Sequence, residues 1–87
     1  MKTYQLTISS PEGNLFKGEV GRLILRGAAG DLAVLAGHIP FITSITPGEV
    51  EIMMEDESIK RAHATGGLLT VDKEAVTVLT SGFTWVE

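Results

Sequence analysis

Eighty-seven residues bound this chain to one domain, and a domain of that size buries only roughly 60–65% of the surface its unfolded form exposes. The formal charge is −4 and there is no cysteine. The surface therefore repels phosphate backbones, so nucleic-acid binding is not expected, and neither a disulfide nor a thiolate metal site can brace the fold.

The amino-terminal run begins to alternate at once. Tyr4, Leu6 and Ile8 alternate with Thr3, Gln5 and Thr7 until Ser10-Pro11-Glu12-Gly13-Asn14 breaks the pattern. A period of two marks a half-buried strand. Leu15-Phe16 is a short apolar pair before Gly18, and Val20 to Arg26 predicts a second strand. Its Leu23-Ile24-Leu25 core is apolar on both sides, as in a central strand. Gly27-Ala28-Ala29-Gly30-Asp31 predicts a turn, Leu32 to Leu35 a brief buried strand, and Phe41 to Ile45 another strand after Gly37-His38-Ile39-Pro40. Pro47-Gly48 suits the central positions of a type II turn, where Pro presets φ and Gly accepts φ > 0.

In the next strand Val50, Ile52 and Met54 point one way and Glu49, Glu51, Met53 and Glu55 the other. Asp56-Glu57-Ser58 turns the chain into Ile59 to Thr65, which makes a hairpin with one wet face. After Gly66-Gly67, Leu68 to Val71 and Ala75 to Thr80 form a hairpin around Asp72-Lys73-Glu74, and Phe83 to Val86 adds a final short strand. No apolar spacing is helical, and turns recur at roughly 8–12 residues, so the fold class is all-β, a sandwich or barrel. The longest apolar stretches, such as Leu32 to Ala36, fall far short of the ~20 residues that span a bilayer. No signal core opens the chain. The expected protein is soluble and intracellular, a description compatible with a place on a membrane complex.

Chemistry finds little purchase. His38 and His63 are the only histidines, and a zinc or cupin-like site needs three or four converging ligands. His63 lies beside Arg61 on an alternating strand and is expected to be solvated; His38 lies in a glycine-proline turn, either capping backbone groups or touching a partner. The serines lack a G-x-S-x-G elbow, and no glycine pair leads into Gly-Lys-Ser/Thr for a phosphate cradle. Glu49, Glu51, Glu55, Asp56 and Glu57 alternate along a strand and its turn, the pattern of a solvated face that blunts edge pairing. Asp31 is a single charge on a loop tip. These residues predict a binding or structural module with no catalytic residue, metal or cofactor.

The run Gly30-Asp31-Leu32-Ala33-Val34-Leu35-Ala36-Gly37-His38-Ile39-Pro40-Phe41-Ile42-Thr43, followed by Ile45-Thr46-Pro47-Gly48, resembles the epsilon subunit of F-type ATP synthases. Leu6 to Pro11, Phe16 to Val20 and Gly66 to Leu79 resemble its opening strand, next element and closing hairpin, so the likeness covers residues 3 to about 80. The resemblance implies a flattened ten-stranded β-sandwich spanning residues 1–87. It also implies a non-catalytic rotor subunit of the central stalk, which binds the gamma subunit and the c ring and couples proton flow to ATP synthesis. By position, Asp31 corresponds to a c-ring contact, and His38 and Thr43 to gamma contacts. The chain would lie at the cytoplasmic face of the energy-transducing membrane, associated with it only through the complex.

Two departures stand out. Ala36 replaces the proline common before the Gly-His pair, and the chain stops at Trp85-Val86-Glu87 where the family continues into an Ala-rich helical hairpin. That hairpin inhibits hydrolysis in longer members, so this chain is expected to lack the function. It is either an isolated sandwich domain or a naturally short subunit, and the unfamiliar Thr80 to Trp85 stretch favours the latter. The competing expectations are a free-standing β-sandwich that binds peptide or carbohydrate and, behind it, a small metal- or serine-dependent enzyme. Only five aromatic residues are available to a sugar platform.

Overall fold

A computed structural model describes residues 2–37 and 39–86. Among them the alternating runs form nine strands and no helix: β1 (Tyr4–Ser10), β2 (Gly13–Gly27), β3 (Gly30–Leu35), β4 (Phe41–Ile45), β5 (Gly48–Met54), β6 (Ile59–Ala64), β7 (Gly67–Val71), β8 (Ala75–Thr80) and β9 (Phe83–Val86). The apolar pair at Leu15-Phe16 and the run from Val20 belong to one continuous 15-residue strand, β2.

β2 organises the sandwich. Its first half pairs with β1, and β8, β7 and β4 follow in order; its second half pairs with β3 on one side and β5 on the other, with β6 and β9 beyond. Every ladder is antiparallel except β1 with β8. β2 thus counts once in each layer, and nine strands fill the ten positions expected of the flattened sandwich. The handover falls at Gly21. Val20 pairs with Met54 and Arg22 with Met53, which leaves Gly21 as an extra residue in a bulge. Val20 and Gly21 are both buried, and the inward set changes there from Phe16, Gly18 and Val20 to Leu23 and Leu25. One added residue exchanges the two faces of a strand, so a single chain segment serves both layers.

The core takes the inward position of every second residue. Leu6 and Ile8 of β1, Leu23 and Leu25 of β2, Val50 and Ile52 of β5, Ala62 and Ala64 of β6, Leu69 and Val71 of β7, and Val76 and Val78 of β8 are all buried. Two hydroxyls are buried with them and both are satisfied. Tyr4 Oη donates to the Val34 carbonyl at 2.6 Å, and Thr80 Oγ1 donates to the Gly66 carbonyl at 2.6 Å. Burial pushes the Tyr4 phenol well above its ordinary range, against a smaller lowering from the Leu23 backbone.

Two expectations are corrected. β3 is not a buried strand: it pairs only with β2, and of its residues Val34 alone is buried while Leu35 is 53% exposed. Alternation cannot distinguish an edge strand from a central one, because pairing is decided by distant residues. Gly48 does not occupy the positive-φ position of a type II turn. It begins β5, where its glycine leaves room for Arg26: a Cβ there would lie 3.3 Å from the Cβ of Arg26, tighter than an ordinary contact. Positive φ occurs elsewhere, for example at Gly30 (121°) in the β2–β3 turn and at Gly66 (120°) and Gly67 (151°) between β6 and β7.

Candidate functional site

The two outer faces of the sandwich differ sharply in charge. β1, β4, β7 and β8 contain no aspartate, glutamate, lysine, arginine or histidine. Their outward residues align in two rows across the ladders, Ser44–Leu68–Leu79–Ser9 and Ile42–Thr70–Thr77–Thr7. Within those rows Ile42 is 67% exposed, Leu79 51% and Leu68 41%. Exposed apolar groups close together among uncharged polar ones are the composition of a contact surface.

The opposite face is laced with ions. Glu51 of β5 accepts from Arg22 of β2 at 3.0 Å and lies 3.6 Å from Arg61 of β6. Glu49 stands opposite the exposed His63 in the β5–β6 ladder. An exposed contact such as that of Arg61 contributes about 0–1 kcal/mol; the larger effect of these charges is to keep the face wet. Glu55, Asp56 and Glu57 lie beyond the end of β5 in or beside the turn, where the Asp56 carboxylate accepts the backbone N–H and hydroxyl of Ser58 and is held below its usual range by them. Among the described residues no three histidine, aspartate or glutamate side chains converge as a metal site.

Asp31 is exposed at the start of β3, directly opposite Arg26 of β2, with Arg26 Nε 3.4 Å from its Oδ1. Thr43 sits in β4 opposite Leu69. It shares the inward side with Phe41 and Ile45, is half-buried, and its Oγ1 lies 3.5 Å from the Ser44 carbonyl. The outward neighbours of Thr43 are Ile42 and Ser44. Asp31 and Thr43 thus belong to different layers, which meet at this end through the single β2–β4 pair Gly27–Ile45. His38 lies outside the described residues.

Sequence reasoning passed over Ile42, Leu68, Leu79 and Arg26. A signal for the first three was present: Phe41-Ile42, Leu68-Leu69 and Val78-Leu79 are apolar doublets on strands, and a doublet places an apolar group on each face. Trp85, 41% exposed, is not a bare platform. Phe16 and Phe83 meet its ring edge-on at centroid distances of 6.0 and 5.0 Å, and Lys60 Nζ lies 5.7 Å from the ring centroid. A sugar-binding face would need that ring free to stack. No helix among the described residues is long and apolar enough to cross a membrane.

These features define an all-β sandwich domain with one ion-paired outer face and one whose strands β1, β4, β7 and β8 carry no charge, its only strand charges, among the described residues, being Lys17 and Glu19 on β2. The chain belongs to the ATP synthase delta/epsilon chain family, matching its β-sandwich domain over residues 3–86. It is 39% identical over 79 residues to the ATP synthase epsilon chain of Chromohalobacter salexigens, covering 91% of this chain and 56% of that one. The epsilon chain of Acinetobacter baylyi is 35% identical over 79 residues, 91% of this chain and 57% of its own. The chain therefore spans little more than half the length of these relatives.

Solved structures show the same fold. A chain of the Euglena gracilis mitochondrial ATP synthase, a structure of OSCP, F1 and the c ring, superposes with a TM-score of 0.90 at 22% identity, covering 95% of this chain and 53% of that one. A chain from the central stalk and c ring of the Tetrahymena thermophila mitochondrial enzyme gives 0.74 at 14% identity, with 91% and 63% covered.

Proposed function

We propose that this chain is a non-catalytic part of the central stalk of an F-type ATP synthase, linking the gamma subunit to the c ring so that proton flow is coupled to ATP synthesis. Family membership supports the assembly, and the observation that carries the docking role is the uncharged outer face of β1, β4, β7 and β8. All the strand backbones on that face are paired except at the free edge of β4, so a partner gains contact by packing side chains on Ile42, Leu68 and Leu79. Gamma is assigned to that face, with Thr43 on β4, the strand at its edge; His38 is kept as a gamma contact on its place in the sequence alone. The c ring is assigned to the end that carries Asp31, whose exposed carboxylate suits a polar loop. Held by the c ring, the sandwich would lie at the cytoplasmic face of the membrane without entering it.

The test is co-purification of gamma with the wild-type chain and with Leu68→Glu and Leu79→Glu variants. Both positions are outward, so the variants keep their strand circular dichroism. Gamma is expected to be lost from them by tenfold or more in affinity, since a carboxylate would be desolvated without a partner. Undiminished gamma binding would remove the face from the interface.

A further inference from the structure

Arg26 joins three pieces of chain at the end of the sandwich. Its carbonyl accepts the Thr46 N–H at 3.0 Å and lies 3.4 Å from the Thr46 hydroxyl, which is also 3.4 Å from the Gly27 carbonyl, so the segment between β4 and β5 is fastened to the end of β2. Its side chain lies across Gly48: a Cβ at that residue would stand 3.3 Å from Arg26 Cβ and 3.4 Å from Cδ. Its guanidinium then reaches Asp31 across the β2–β3 hairpin. No other described residue pairs with either charged group. Both remain more than half exposed, at 56% and 66%, so most of the five N–H donors of the guanidinium and a carboxylate oxygen stay open to solvent.

We propose that Arg26 is a positioning residue for the contact made by Asp31: lying in the groove that Gly48 leaves open, it holds the carboxylate in register with the β4–β5 segment, and the pair meets its partner as one two-signed unit. The complementary chemistry is a polar loop that offers a cation to Asp31 and a carbonyl or carboxylate to Arg26. The inference rests on the reading that this end faces the c ring. Lying flat over a glycine shortens the reach of the guanidinium and reduces the rotamers open to it, so little further freedom is lost when the partner arrives. A pair this exposed contributes little to folding, and its effect belongs to binding.

The experiment measures affinity of the assembled stalk for the purified c ring with Asp31→Asn, Arg26→Gln, Arg26→Lys and the double variant Asp31→Asn with Arg26→Gln. Thermal unfolding and gamma binding are followed alongside and are expected to be unchanged. Arg26→Gln should weaken c-ring binding by about tenfold at low salt, with the deficit shrinking above about 0.5 M salt, and Arg26→Lys should recover part of it. The double variant should lose no more than the worse single one, the mark of groups acting together. Normal binding by Asp31→Asn would overturn the c-ring assignment and this inference with it. Weak binding by Asp31→Asn beside normal binding by Arg26→Gln would overturn this inference alone, as would strictly additive losses.

Discussion

The hydroxyl of Tyr4 in β1 donates to the carbonyl of Val34 in β3 across 30 positions of sequence, and so ties one layer of the sandwich to the other from inside. Among the described strands β3 pairs only with β2, and its Val34 and Leu32 pack on the core. The bond therefore helps to fix an edge strand whose second residue, Asp31, pairs with Arg26 of β2.

Tyr4→Phe leaves the Val34 carbonyl buried without this donor, and should lower stability by about 1–3 kcal/mol, read from denaturant unfolding. The pH dependence carries a sign that can be checked. The folded phenol titrates above its unfolded counterpart, so its contribution is complete below the unfolded value, about pH 10, and is lost as pH rises beyond it. Wild type should therefore lose stability more steeply above about pH 10 than Tyr4→Phe does; parallel curves would show that the phenol is not the group responsible.

Gly67→Ala should be among the most damaging single-methyl changes. Gly67 has φ 151°, and a Cβ there would collide with the carbonyl of Leu79, to whose strand β7 is hydrogen-bonded. A loss of at least about 2 kcal/mol is expected. A melting temperature within a degree or two of wild type would contradict it.

In the ionic face the two arginines are unequal. Glu51 is 23% exposed and holds Arg22 at 3.0 Å, whereas Arg61 stands 3.6 Å away and is 53% exposed. Arg22 Nε is buried with no partner among the described residues, so Glu51→Ala strands a partly buried cation and should cost about 1–2 kcal/mol. Arg61→Ala should cost less than about 0.5 kcal/mol. Unfolding in low and high salt separates the cases, since only the exposed pair is strongly screened.

Much of this architecture is legible in residue order. Val50, Ile52 and Met54 against Glu49, Glu51 and Met53 announce both the strand and its wet face, and the closing hairpin around Asp72-Lys73-Glu74 is placed as expected. What escapes is set by distant pairing. Leu32 to Leu35 look like core until β3 proves to have a neighbour on one side only, and Gly48 looks like a turn residue until Arg26 is found lying over it. Asp31 looks like a loop tip in the sequence, but its pairing with Arg26 places it in β3 beside the turn. Parity puts the half-buried Thr43 on the inward side of β4 and leaves Ile42 and Ser44 facing out. The uncharged face was written in apolar doublets, which strict alternation discounts.

The bulge at Gly21 has a mechanical consequence. Two packed sheets joined only by loops can shear, because their side chains slide over one another at modest cost. Here the backbone of β2 passes from one sheet into the other while hydrogen-bonded on both sides of the crossing. A twisting load applied at one sheet therefore reaches the other along covalent bonds, and the two cannot slip apart without first unzipping that strand.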